Sequence, residues 1–168
     1  AAGIMAAQKA AEAKAKAEAK TKALTDKATY FAAEKASGTK TESGLIYKVI
    51  KKGTTGKTAE GTNVALAYSG YLENGFLLDS SDAAVAKAMF NYIPEKDAAH
   101  AYTPIPFTIG SKPNLVPGFM EAIELMSVGD KIIVFIPSHL CYGERGNPRA
   151  GIPGNSPLVF ELEMQPAQ

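Results

Sequence analysis

Few residues in this chain have the means to do chemistry, and two of them belong to what reads as one hairpin: the phenol of Tyr68 and the carboxylate of Asp79. Residues 63–68 alternate, with Val64, Leu66 and Tyr68 on one face and Ala65, Ala67 and Ser69 on the other, so a strand is expected there. Asn74-Gly75 follows, a strong turn signal because both residues tolerate positive φ. The chain then runs apolar through Phe76, Leu77 and Leu78 to Asp79, Ser80 and Ser81. Two readings stay open: a phenol and a carboxylate brought together by one tight turn, or a half-buried hairpin that ends in a capping Asp. Other catalysts are scarce. His100 and His139 fall in loops, with no carboxylate or Cys at metal-ligand spacing, so no metal site is expected. Cys141 lacks an evident base and reads as a small buried hydrophobe rather than a nucleophile. Glu161 and Glu163 share a strand face, and Glu121 and Glu124 a helix; both pairs read as solvated. With no G-x-S-x-G elbow, P-loop or dinucleotide fingerprint, no cofactor is expected. Apolar and aromatic residues cluster instead at element ends and loop starts: Tyr68, Leu78, Phe107, Leu115, Val116, Phe119, Tyr142, Ile152 and Phe160.

These residues need elements to position them. Residues 5–23 are rich in Ala, Lys and Glu, which lose little on entering a helix, and Glu12 with Lys16 and Glu18 with Lys22 form favourable spacing-four pairs. No apolar stripe accompanies them, so the helix is expected to be solvent-bridging or marginal, stopping at Ser37-Gly38. A spacer or oligomerisation arm, and a helix with no role of its own, are both open readings. Beyond it lie strands at 45–51 and 63–79, the latter folded as the hairpin. Ser81 is placed to cap a short helix over 83–89, with Val85, Ala88 and Met89 inward, and 91–102 reads as loop. A strand entered through Pro104 and Pro106 follows, then a helix begun at Pro117 with Phe119, Ala122, Ile123 and Met126 on its inner face. An apolar strand at 131–137, a glycine-rich excursion over 138–157 and a strand at 158–164 complete the chain. In that last strand Leu158, Phe160, Leu162 and Met164 are expected inward and Val159, Glu161 and Glu163 outward. Four or five antiparallel strands around one helix make an α+β domain.

The 168 residues suit one domain with an appendage, and a net charge of +1 favours neither nucleic acid nor an anionic membrane. A single cysteine forbids an internal disulfide. No apolar run approaches the ~20 residues that cross a bilayer. The chain opens at Ala1 without a signal-like apolar core, so two expectations stand: any targeting segment has been lost from it, or it is the tail of a longer protein.

The motifs, taken in order, resemble those of FKBP-type peptidyl-prolyl isomerases over 41–165. YSGYL at 68–72, Asn74-Gly75 and Asp79-Ser80-Ser81 resemble Y-T-G-x-L, D-G and F-D-S-S; LVPGF at 115–119 and MSVG at 126–129 resemble V-I-x-G-[WF] and M-x-V-G. Ile136-Pro137, Tyr142-Gly143, Ile152-Pro153 and LVF at 158–160 resemble the closing I-P, A-Y-G and I-P-x-N-x-x-L-x-F blocks. The helical start followed by TESGLIY at 41–47 is similar to the bacterial Mip and FkpA type. The resemblance implies an α+β fold in which a half-open antiparallel sheet wraps one short helix, behind an Ala/Lys/Glu-rich N-terminal helix. It divides the chain into an arm or linker at 1–40 and an isomerase domain at 41–168 with an insertion at about 82–103. It implies catalysed rotation of X-Pro bonds in unfolded or exposed polypeptide; a weakly catalytic or non-catalytic chaperone module is the alternative. Phe119 would be the pocket floor, with Tyr68, Val116, Tyr142 and Phe160 as walls and Leu78, Ile105, Phe107, Leu115 and Ile152 completing the substrate-binding set. The Val116 N–H and the Tyr142 hydroxyl would donate to substrate carbonyls, and Asp79, the other catalytic residue, would hold the rim beside Tyr68. Macrolide inhibitors are implied ligands, and the cell envelope or periplasm is favoured over the cytoplasm; the reading of residues 1–36 as an oligomerisation arm adds a homodimer through that arm. Departures are Leu78 for the usual Phe, Ile105 at another aromatic position, Phe119 for the frequent Trp, and Asn147 where His is common. They make the pocket more aliphatic.

Overall fold

The computed structural model describes residues 2–53 and 56–167. Helix α1 (Ala2–Ala36) is followed by strands β1 (Thr39–Lys40), β2 (Ile46–Lys51), β3 (Asn63–Leu72) and β4 (Leu77–Ser80). Short helices α2 (Ala83–Ala88) and α3 (Pro94–Ala98) lead to β5 (Ile105–Thr108), α4 (Pro117–Glu124), β6 (Lys131–Ile136) and β7 (Leu158–Pro166). All strand pairs are antiparallel in one open sheet of order β1-β2-β6-β7-β3-β4, with β5 also on β3. This is the expected α+β architecture. The described residues form seven strands rather than four or five, because a two-residue β1 and a separate β4 carry too little pattern to be counted from sequence.

One edge of β3 is paired to β7 along 64–72, and the other edge is divided. Residues 63–66 pair with β5, and residues 69–71 with β4. Between them β4 leaves the sheet at Ser81, whose N–H donates to the Tyr68 carbonyl at 2.8 Å while its Oγ accepts the Tyr68 N–H at 2.9 Å. Both strands therefore splay at Tyr68.

Each face of the sheet is covered by a helix. On one, Phe119, Ala122 and Ile123 of α4, with Met126 just beyond the helix's end, pack on Leu66, Ile132, Val134 and Leu162. On the other, Phe31 of α1 is 3 % exposed and lies edge-on to Tyr71 and Phe135, at ring distances of 5.1 and 6.4 Å. Lys27 bridges to Glu161 at 2.6 Å, Glu34 to Lys48 at 3.1 Å, and Lys35 to Glu73 at 3.4 Å. The helix is thus polar over its exposed first turns, yet docked by one aromatic and three ion pairs at its end. Two expectations change as a result. Val159 is buried against this second face rather than solvated, and Glu161 is held by Lys27. Burial on both faces also explains why β6 reads as a continuous apolar run.

The 82–103 segment is more regular than a loop. Asp82, not Ser81, caps α2 by accepting the Ala84 N–H at 2.8 Å, and Ala86 rather than Ala88 is buried. Pro94 starts α3 at the position where its missing N–H is not needed.

One buried charge stitches the sheet's lower end. Asp130 is 1 % exposed and accepts from the Gly53 N–H at 2.7 Å, the Ser127 N–H at 2.9 Å and Lys52 Nζ at 3.3 Å. Burial works to raise its pKa, but those donors outweigh it and hold the carboxyl below its ordinary range. A depressed folded pKa contributes stability that is present above the unfolded value and lost as pH falls through the folded one. Asp130→Asn is therefore expected to cost about 2–4 kcal/mol in urea unfolding at pH 7. That deficit should shrink below about pH 4. An unchanged midpoint at pH 7 would contradict the assignment.

Candidate functional site

The splayed end of β3 opens into a cleft of about 1000 Å³ between α4 and the strand ends. Its base is Phe119, from the first turns of α4, meeting Phe160 of β7 edge-to-face at 5.2 Å and 81°. Phe160 lies opposite Gly70 in the ladder. A Cβ on Gly70 would stand 2.6 Å from the Phe160 ring, so the ring can lie flat over the strand only because this position has no side chain.

A bulge brings the next two residues in. Gly70 pairs with Asp79 and Tyr71 with Leu77, leaving Leu78 as the extra residue. Leu77 and Ser80 are consequently both buried toward the α1 face, and the adjacent Leu78 and Asp79 both reach the cleft. Strict alternation would have sent one of them away. Asn74-Gly75 sets up this hairpin as expected. Gly75 has φ +91°, and a Cβ there would also stand 2.3 Å from the Leu24 carbonyl oxygen of α1.

Tyr68 donates its hydroxyl to Asp79 Oδ2 at 2.9 Å. Burial first, and the neighbouring Asp79 second, push the phenol above its ordinary range, so it remains a donor at physiological pH. Asp79 Oδ1 accepts from the Ser80 N–H at 2.9 Å and from Lys96, whose Nζ also donates to the Ser80 carbonyl at 3.0 Å. Val116 caps α4 in an extended conformation; neither its N–H nor the Tyr142 hydroxyl has a partner among the described residues. Leu115, Ile105 and Ile152 complete the apolar wall.

Of the eleven residues expected at the site, ten line this cleft: Tyr68, Leu78, Asp79, Ile105, Leu115, Val116, Phe119, Tyr142, Ile152 and Phe160. Phe107 does not. It is 7 % exposed, pairs with Val64 and packs in the core under α4. The cleft also contains Ile93, Lys96 and Arg149, which no motif marked. Cys141 lies among the carbonyl oxygens of Pro137, Ser138 and Ser156, and burial pushes its thiol up, away from a nucleophile's range. Among the described residues, no cluster of three metal-ligating side chains occurs.

The sheet, covered by α4 on one face and α1 on the other, opens above α4 into an apolar cleft floored by two rings. A family model described as FKBP-type peptidyl-prolyl cis-trans isomerase matches residues 54–165, and the chain belongs to that family. It is 36 % identical over 137 residues to the isomerase FkpA of Aeromonas hydrophila, covering 80 % of this chain and 43 % of that protein. It is 32 % identical over 124 residues to the outer membrane protein MIP of Legionella longbeachae, covering 73 % and 43 %. A crystal structure of a peptidyl-prolyl cis-trans isomerase from Pseudomonas syringae pv. tomato superposes with a TM-score of 0.57 at 26 % identity, covering 85 % of this chain and 91 % of that one. The chain spans under half the length of these two curated relatives.

Gly70→Ala tests the floor's construction. The forced contact with Phe160 is expected to cost about 1–3 kcal/mol in thermal or urea unfolding. A variant as stable as the parent would show that the ring is not held there.

Proposed function

We propose that the cleft binds a prolyl ring and accelerates cis/trans rotation of the preceding peptide bond in unfolded or exposed polypeptide. The observation that carries this reading is the cleft itself: ten matching side chains around a ring-lined floor, with two unspent donors at its rim. The barrier to rotation is about 18–20 kcal/mol of amide resonance, and no bond is broken. A site need only favour the twisted amide, whose carbonyl is less charge-separated than the planar form. Phe119, Phe160, Ile105, Leu115 and Ile152 supply an apolar surround that disfavours the planar form relative to water. In this reading the Val116 N–H and the Tyr142 hydroxyl hold substrate carbonyls. Asp79, fixed by Tyr68, is a rim charge and not a base, since the reaction has no proton to remove. Macrolides that mimic a prolyl amide would occupy the same floor.

The isomerase unit is proposed to span 41–168, with 82–103 as an insertion at the cleft's mouth and 1–40 as an arm. An envelope location is favoured by the relative named an outer membrane protein. The exposed insertion and arm favour a second reading, a chaperone module that keeps the fold without turnover. It would suppress aggregation of an unfolded protein while leaving proline peptides at their uncatalysed rate.

In a protease-coupled assay, Tyr142→Phe alone is expected to lower kcat/KM about tenfold, the worth of one hydrogen bond. Adding Asp79→Ala should bring the loss to roughly a hundredfold, with the circular dichroism spectrum unchanged. Full activity in the double variant would remove the proposed roles. A dimer through the arm predicts that sedimentation gives two chains per particle, and one after deletion of residues 2–22. A monomeric parent would dismiss it.

A further inference from the structure

The segment between β4 and β5 does more than enclose the cleft. Asn91 Nδ2 donates to the Leu77 carbonyl at 2.7 Å, tying the segment to the bulged strand. Tyr92 and Tyr102 stack at 5.8 Å and 10°, and the Tyr102 hydroxyl accepts the Ile93 N–H at 2.9 Å. This frame presents Ile93 and Lys96 to the cleft. The Lys96 ammonium stands 4.5 Å from the centre of the Tyr102 ring and contacts Asp79. Its side chain is only 19 % exposed, so the charge is held in place rather than left to wave in solvent.

Counting donors and acceptors shows what the lip can still bind. Asp79 is already engaged on both oxygens, by Tyr68 on one and by Ser80 and Lys96 on the other. An ammonium has three donors, and Lys96 uses two, on Asp79 and the Ser80 carbonyl. Arg149, exposed and without an ion pair among the described residues, lines the same cleft from the excursion between β6 and β7. The acids of α3 face elsewhere: neither Glu95 nor Asp97 lines the cleft, and Asp97 accepts the Tyr92 hydroxyl at 2.6 Å. Summed over the charged lining residues, Asp79 gives −1 and Lys96 and Arg149 give +2, a net of +1 that would be 0 without Lys96.

We propose that Lys96, presented by this insertion, is a specificity determinant: with Arg149 it makes the lip cationic, so the site prefers prolines flanked by an acidic residue over those flanked by a basic one. The inference rests on the isomerase reading above. A substrate carboxylate finds an open ammonium donor and a free guanidinium, whereas a substrate lysine finds Asp79, the only carboxylate lining the cleft among the described residues, already taken. A single charge pair at a solvent-facing rim changes selectivity modestly, by about three- to fivefold.

Short peptides with Glu, Leu or Lys beside the proline, in one set before it and in a second set after it, test this. Exchange NMR is the readout, so no protease with its own charge preference enters. Each rate is expressed relative to the Leu peptide for the same protein. The unaltered protein is expected to favour Glu over Lys by at least about threefold in one set. The ratio should fall toward 1 at about 1 M salt, where the screening length is about 3 Å. Lys96→Glu should invert the preference, with Lys96→Met between. Turnover of the Leu peptides with a Glu-to-Lys ratio indifferent to salt and to Lys96 in both sets would overturn this inference alone. No turnover of any peptide would remove the isomerase reading and this inference with it.

Discussion

Everything about the cleft depends on how one strand edge is shared. A strand paired continuously on both sides would close the sheet at Tyr68 and leave no gap for a ligand. Here β3 hands its free edge from β4 to β5 between residues 66 and 69. The polar groups exposed at the handover are not left unmade, because Ser81 supplies both a donor and an acceptor to Tyr68. A buried backbone pair left unsatisfied would cost about 1–3 kcal/mol per group, enough to close such a gap. The opening therefore exists because one serine completes the ladder where the strand leaves it.

The bulge at Leu78 is the second half of that device. It turns two adjacent residues to one face, an aliphatic wall and a carboxylate, while Leu77 and Ser80 stay buried on the other. The two faces then have different tasks. The α1 face is a packed seam of Phe31, Tyr71 and Phe135 tied by Lys27 and Glu161. The α4 face is packed below and open above, where Phe119 and Phe160 meet. Rigidity on one side is what lets the other side stay partly unfilled.

Much of this was legible in the chain because its signals are local. Asn74-Gly75, the Pro117 helix start and the alternation of β7 each carry their own physical cause, and ten of the residues that the ordered motifs point to line one cleft. Three features were not legible. Val159 and Glu161 look solvated until a helix more than a hundred residues upstream covers them, and periodicity knows nothing of a distant cover. Phe107 carries an aromatic ring on a strand beside the site, but strand parity turns it to the core. Lys96 sits on a short polar helix with no motif, and its meaning comes only from its meeting with Asp79 in space.

Under the proposed function the cleft binds a prolyl ring and speeds rotation of the peptide bond before it. Exchange NMR on a short Leu-Pro peptide, with a catalytic amount of isotope-labelled protein, addresses binding and turnover in one sample. The account predicts cis/trans exchange within a second or so at 25 °C, where the unassisted bond takes tens of seconds. It also predicts amide shift changes concentrated at Val116, Leu78, Asp79 and Tyr142. Exchange at the unassisted rate, or shift changes confined to α1 and absent from the cleft, would contradict it.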